Sequence, residues 1–428
     1  MNISTRDFIG AGGLAAAGLA LNACGAPQKT NELSAVQVKT QMSSLITMTK
    51  KAPKITKADY VARIEKAQNL MQQFGIGALI LESGASLQYF TGISWWRSER
   101  LTAAVLPVVG KIGVVTPQFE EPSIRESMMV GNDVRVWNEH ESPFKRVVGI
   151  LKDRGVLSGK IAIEDSVRYF AVKGIQNAGR SYELVSGGPI VWGCRMYKSP
   201  KEIELMQLAN NVTIAAYRFT YPKIEIGMTP RDISSLMSKA TEALGANNEF
   251  SLVLLNEASA YPHGSKISQT VKDGGVVLMD CGASVNGYQS DISRTIVIGE
   301  PSKRQSEIWN LVRDGQALAF ETAKLGTATG KVDDAVRKLY ESKGFGPGYK
   351  LPGLSHRTGH GIGLEGHEQV NFVHGETTRL APGMCLSNEP GLYIMGEFGV
   401  RFEDCLYMTE TGSKYFTAPP VSLSNPIG

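Results

Sequence analysis

Cysteine is scarce in this chain, five residues among 428, and no spacing among the five demands a disulfide. Neither sign of charge is in excess: 45 Lys and Arg against 41 Asp and Glu leave a formal net charge of +4, so no nucleic-acid partner is implied. Apolar runs long enough to span a bilayer are missing. A Gly-rich phosphate loop is missing after the first strand pattern, which argues against nucleotide binding. Histidine numbers six but is not scattered. His356, His360 and His367 stand at spacings of four and seven within residues 356–368, HRTGHGIGLEGHE. A lone histidine is most often a satisfied core or surface residue. Three in a run broken by glycines, which let backbone approach a site closely, point to chemistry.

Four acids elsewhere support that reading. Residues 277–280, VLMD, are an apolar run ending in Asp280, and Asp291 follows in YQSDISRT, residues 288–295. Asn286-Gly287 between them is a hairpin-turn signal. The midpoint of the two Asp residues falls at that turn, so paired strands should set them side by side. Glu389 in SNEPG and Glu403 in VRFED are placed symmetrically about Gly396, a second hairpin of the same kind. Carboxylates aimed at one point repel unless cations or protons neutralise them. Four acids and an imidazole suit two divalent ions sharing oxygens, a site that activates water and clamps the oxygen it creates. The bland alternative, surface acids that happen to flank apolar strands, serves for any one of the four but poorly for all.

Asp280, Asp291, His360, Glu389 and Glu403 match, in order and in local motif, the five metal ligands of the pita-bread metallopeptidases. The chain resembles their Xaa-Pro aminopeptidase and prolidase branch, strongly over residues 195–410. The resemblance implies a creatinase-like α/β amino-terminal domain followed by an α+β pita-bread catalytic domain with a pseudo-two-fold internal repeat. It implies a binuclear metal-dependent hydrolase that cuts the peptide bond preceding proline. Asp280 would chelate one ion, His360 and Glu389 the other, with Asp291 and Glu403 bridging. Glu389 would accept the proton of the attacking water and His367 would stabilise the oxyanion. His263 and His356 align with pocket histidines, His263 beside Glu389 and His367 in the catalytic set. Four oxygen ligands and one imidazole favour Mn²⁺, with Co²⁺, Fe²⁺ and Zn²⁺ as alternatives. The expected partners are peptides with proline at the second position and a second copy of the chain in a homodimer. His140 and His374 match nothing and read as solvated loop residues.

The rival in the same fold is a non-peptide hydrolase or lyase. The dimethylsulfoniopropionate lyase branch typically adds an Asp two residues after the first ligand, where this chain has Gly282. A rival of another class, a non-catalytic binding protein, would usually have discarded ligands, and all five positions are kept.

Residues 1–24 read as an export signal. Arg6 precedes a Gly/Ala-rich apolar run that ends in LNACG, residues 21–25, which resembles a bacterial lipobox with Cys24 as the lipidated residue. The expected location is the cell envelope, on the periplasmic side in a diderm bacterium, with the membrane met only through Cys24. Residues 25–54 are rich in Ser, Thr, Gln and Lys and read as a tether. Residues 55–190 alternate helix and strand patterns: a helix over 57–74, strands near 77–81, 101–108, 111–115, 134–137, 160–163 and 182–185, and helices near 118–130, 143–154 and 167–178. That is a layered α/β domain. Trp95 and Trp96 lie there in a Gly/Ser loop. They read either as one packed and one surface ring or, as related dimers imply, as a lid over a neighbouring subunit's pocket.

Residues 191–428 make the catalytic domain. SPKE at 199–202 and TPRD at 229–232 open two helices ahead of the Asp hairpin. SKRQ at 302–305 opens a third, and a fourth covers 331–343, ahead of the Glu hairpin. Cys194, Cys281, Cys385 and Cys405 remain. Three of them flank ligand strands, which raises thiolate ligation, but alternation turns Cys281 away from the face of Asp280. Small core residues are the better reading.

A strict dipeptidase needs a cation for the product-side carboxylate, because a buried unpaired carboxylate is costly. Some prolidases place an Arg four residues after the second pocket His, where this chain has Asn371. Arg379 and Arg401 remain as substrate-binding candidates, and Arg401, two residues before Glu403, better suits steadying the ligand carboxylates. The expectation is an Xaa-Pro aminopeptidase that takes tripeptides and longer chains at least as well as dipeptides, with prolidase as the alternative.

Overall fold

Residues 78–82, ALILE, are buried at every position of the strand Ala78–Glu82, as befits a strand covered on both faces. In the computed structural model, which describes residue 42 and residues 44–427, this strand lies inside a six-stranded sheet. Ala103–Pro107 flanks it antiparallel and Gly159–Ile163 parallel. Gly113–Pro117 and Asp133–Trp137 extend one side and Tyr182–Ser186 the other. The first helix runs over Lys57–Phe74, and Thr56 caps it by a reciprocal exchange with Asp59. Apolar faces of Pro143–Asp153 and Tyr169–Ala178 close one side of the sheet around Val147, Ile150 and Ile175. The short helices Ala85–Thr91 and Gly188–Arg195 have no counterpart in the sequence pattern.

The catalytic half opens with Pro200–Thr220 and Pro230–Ala243, begun by capping boxes at Ser199 with Glu202 and at Thr229 with Asp232. An antiparallel sheet follows, built from Asn247–Leu255, Val276–Val285 and Ile292–Val297. Lys303–Thr322, capped by Ser302 with Gln305, and Gly330–Ser342 then precede the second set of strands. These run in the order Glu368–Phe372, Gly359–Gly361, Cys385–Asn388, Asp404–Thr409 and Gly412–Tyr415, with Gly391–Ile394 and Phe398–Arg401 as a separate ribbon. Two helices and a ligand-bearing hairpin thus occur twice.

An isolated bridge joins Ser293 of the first set to Glu403 of the second through backbone bonds of 3.3 and 3.1 Å. It draws the two hairpins around one point. One apolar cluster continues from Met71 and Leu79 through Leu205 and Tyr217 to Met279 and Cys405, so the amino-terminal sheet and the first catalytic sheet share a core. A second gathers Trp309, Phe372 and Phe402 under the second helix pair.

The lipobox-like Cys24 and the segment before it lie outside the described residues. Among the described residues no helix is long and apolar enough to cross a membrane. The end of the expected tether lies against the catalytic domain, where the Met48 N–H donates to the Leu244 carbonyl at 2.8 Å and Thr49 Oγ1 to that of Gly245 at 2.6 Å.

Candidate metal centre

The second ligand hairpin has the register its symmetry foretells. Asn388 faces Asp404 and Gly391 faces Arg401, which brackets Glu389 against Glu403. The first hairpin corrects the expectation. Asn286 and Gly287 do make its turn, with φ of 51° and 84°, as a two-residue turn demands. Yet the pairing sets Ser293, not Asp291, opposite Asp280. The turn is centred between Asn286 and Gly287, with Val285 facing Tyr288, and that small offset moves Asp291 two residues back. Asp280 and Asp291 are therefore diagonal on one face. Ser293 takes the seat between, its hydroxyl 3.0 Å from both Asp280 Oδ1 and Glu403 Oε2. Glycine is required beside His360: a Cβ on Gly359 would overlap the Ser387 carbonyl oxygen of the neighbouring strand.

Asp291, His360 and Glu403 are buried, and each offers a ligand atom within 4.8 Å of the others. His360 Nε2 stands 3.4 Å from Glu389, 3.6 Å from Glu403 and 3.7 Å from Asp291. Those gaps are long for hydrogen bonds. They approach the roughly 3.0–3.5 Å between neighbouring ligands on an ion whose bonds are about 2.1 Å. His360 Nδ1 lies 3.0 Å from the Gly361 carbonyl. A proton held there leaves the Nε2 lone pair facing the acids.

Asp291 Oδ1 and Glu403 Oε1 are buried with no hydrogen-bond partner among the described residues, a costly state unless a cation faces them. Burial, then the neighbouring Glu403, pushes Asp291 well above the carboxylate range and Glu389 up to about 8. Burial likewise raises Asp280, against the pull of Arg401. Glu403 goes the other way: burial opposes its charge, but His360, Arg401 and Ser293 hold it below the usual range. Burial disfavours a charged His360, but Glu403 and Glu389 raise its pKa. Those acids call for positive charge, which divalent ions would supply in place of protons. The donor set fits such ions.

A cavity of about 610 Å³ brings all five ligand positions together with His263, His356, His367, Arg357 and Phe250. The His367 ring meets that of His360 edge-on at 4.2 Å, and burial followed by His360 lowers its pKa to about 4. His263 is exposed on the lining.

Three substrate-binding expectations change. Arg401 is largely engaged: Nη2 donates to Asp280 Oδ2 at 2.6 Å, Nε to Ser293 Oγ at 2.9 Å, and Nη1 to the Tyr393 hydroxyl at 3.2 Å and the Pro262 carbonyl at 3.3 Å. From the cavity lining it steadies the Asp280 carboxylate, which leaves at most one N–H for substrate. His356 has both nitrogens engaged, Nδ1 2.7 Å from the Arg357 carbonyl and Nε2 2.7 Å from the Tyr393 hydroxyl. Burial, then Arg401, brings its pKa to about 3, so it is a neutral brace on the wall. Arg379 is exposed, donates to the Gly326 carbonyl at 2.7 Å and does not line the cavity.

Trp95 and Trp96 stack on each other at 4.6 Å, with Trp96 69% exposed. Neither lines this chain's own cavity, where Phe250 is the aromatic wall. The four described cysteines are free and buried. Burial pushes Cys281 and Cys385 up to about 12, which argues against thiolate ligation. His140 is exposed, and His374 is an exposed residue paired with Asp334.

The sequence reading missed Arg357. It lies in the histidine run itself, between His356 and Thr358, and is half-buried on the cavity wall. Among the described residues its guanidinium has no hydrogen bond or ion pair. An Arg inside a ligand motif was the available signal.

Residues 204–410 match the metallopeptidase family M24 and residues 63–197 the creatinase/prolidase N-terminal domain. The chain is 30% identical over 362 residues to an Xaa-Pro dipeptidase of Lactobacillus helveticus, a match covering 83% of this chain and 96% of the relative. The chain belongs to metallopeptidase family M24. Peptidases of that family depend on a pair of metal ions, in keeping with the donor set above. Among solved M24 relatives, dipeptidase PepE from Mycobacterium ulcerans superposes with a TM-score of 0.79 at 28% identity, covering 87% of this chain and 99% of that one. The X-Pro aminopeptidase from Thermotoga maritima gives 0.74 at 27% identity, covering 84% and 98%. This M24 peptidase therefore shares its creatinase-like amino-terminal domain and pita-bread catalytic domain with both kinds of enzyme.

Proposed function

We propose that this M24 peptidase is an Xaa-Pro dipeptidase, holding two Mn²⁺ ions on Asp280, Asp291, His360, Glu389 and Glu403. Four carboxylates and one imidazole support the choice of metal. The observation that carries the dipeptide reading is Arg357, a cation on the wall of the metal cavity whose guanidinium has no hydrogen bond or ion pair among the described residues. Longer peptides were the sequence-based expectation because a carboxylate anchor was missing at Asn371. Arg357 supplies one. The aminopeptidase reading stands second, favoured by an adjoining cavity of about 310 Å³ that shares Arg357 and His367 and leaves room for more chain.

When bound, the ions would lower the pKa of water and polarise the scissile carbonyl. Glu389, facing His360 and partly open to the cavity, takes the proton of the attacking water and returns it to the departing proline nitrogen. His367 is neutral near pH 7, given its lowered pKa, and offers a neutral N–H to the carbonyl oxygen as charge develops there. Arg401 and Ser293 keep Asp280 oriented. Phe250 offers the proline ring a flat apolar wall. The test is kcat/KM for Ala-Pro against Ala-Pro-Ala. A clear preference for the dipeptide is expected, and a preference for the tripeptide would return the aminopeptidase reading to first place.

Trp96, exposed and stacked on a Trp95 that packs against the core, supports a homodimer in which the pair lies over the partner's cleft. Replacing both by Ala should then raise KM with no loss of metal. Wild-type kinetics for this variant, in a protein that sediments as a monomer, would remove the lid.

A further inference from the structure

The turn that carries His367 is held from outside its own sheet. Glu368, the next residue, has a side chain only 6% exposed and is gripped by two cations: Arg195 Nη2 at 2.5 Å from Oε1 and Lys198 Nζ at 2.9 Å from Oε2. Arg195 and Lys198 are themselves 8% and 2% exposed. Arg195 is the last residue of Gly188–Arg195, and its Nη1 donates to Ser86 Oγ at 2.8 Å in the helix Ala85–Thr91. The grip therefore runs from the amino-terminal domain into the catalytic loop.

Glu368 is also turned back on its own loop, where Oε1 accepts the Leu364 N–H at 3.0 Å and the Glu365 N–H at 3.3 Å. Gly363 must be small for this, since a Cβ there would stand 2.8 Å from both Glu368 carboxylate oxygens and from Lys198 Cε. Burial opposes a charged Glu368, but Arg195 and Lys198 lower its pKa to about 2. It is an anion at any working pH.

A buried ion cluster is a poor device for stability, because desolvation offsets most of the attraction and apolar residues of the same volume do as well. What it gives is direction: two cations and two N–H groups fix both oxygens of one carboxylate. We propose that Glu368, clamped by Arg195 and Lys198, is a positioning residue that holds His367 against the reacting carbonyl, which rests on the reading of His367 given above. A displacement of about 1 Å at a catalytic group costs up to about a hundredfold in rate, so the clamp acts on kcat rather than on binding.

The test is a double-mutant cycle between Glu368→Gln and His367→Ala, read as kcat, KM and metal content with Ala-Pro. Glu368→Gln should lower kcat about tenfold to a hundredfold, with KM and metal content close to wild type. In the His367→Ala background it should cost nothing further. Lys198→Met, which keeps the Arg195 pair, should give a smaller loss of the same kind, again absent without His367, and it decides the matter if Glu368→Gln does not fold. An equal loss of kcat in both backgrounds, or a loss of metal with Glu368→Gln, would overturn the clamp while leaving the site reading intact. A His367→Ala variant with wild-type kcat would overturn the role of His367 and the clamp together.

Discussion

Asp291→Ala abolishes metal binding and hydrolysis together, with activity falling by on the order of a thousandfold or more. Asp291 is 6% exposed, shares the trio with His360 and Glu403, and has one buried oxygen without a hydrogen-bond partner among the described residues. Losing it empties the position where two ions would share a ligand. Stability moves the opposite way. In the metal-free protein Asp291 and Glu389 have pKa values raised by burial and by Glu403, against ordinary carboxylates near 4 in the unfolded chain. The folded state then prefers the protonated forms, so its stability falls as pH rises from about 4 towards 8. Metal-free wild type should lose melting temperature over that range and recover it on adding ions, whereas metal-free Asp291→Ala should lose less. Elemental analysis, peptide assay and melting curves on both proteins check this. A variant that still binds two ions would show that Asp291 is not a shared ligand.

Arg357→Gln is expected to lower kcat/KM for Ala-Pro by about tenfold to a hundredfold, the worth of a charge-assisted hydrogen bond of roughly 1.5–3 kcal/mol. Its effect on Ala-Pro amide, which has no terminal carboxylate, should be slight. Arg379→Ala should change neither, because Arg379 is exposed and bonded to Gly326 away from the cavity. Equal losses for the acid and the amide would mean that Arg357 meets some other part of the substrate.

Local patterns in the sequence carried the strands of the amino-terminal sheet, the capped helices and the two hairpins whose acids meet His360 at one cavity, but not the strands Asn247–Leu255, Glu368–Phe372 and Gly412–Tyr415. Hairpin symmetry located Glu389 and Glu403, because the register is the same on both sides of the break at Glu389-Pro390, with Asn388 facing Asp404 and Gly391 facing Arg401. The same reasoning misplaced Asp291, since the turn at Asn286-Gly287 is not centred between the two acids and a small offset moves a residue along its face. Phe250 and Tyr393 were invisible for another reason. Which wall a side chain joins depends on packing between distant elements: Phe250 comes from Asn247–Leu255 and Tyr393 from Gly391–Ile394. Arg379 shows the converse, a cation close to the motif in sequence that the fold turns outward.

The most direct measurement is a titration of chelated, metal-free protein with Mn²⁺, counting bound ions and assaying Ala-Pro hydrolysis at each step. Activity should be absent at the start and should reach its plateau at about two ions per chain. A metal-free protein with full activity would contradict it.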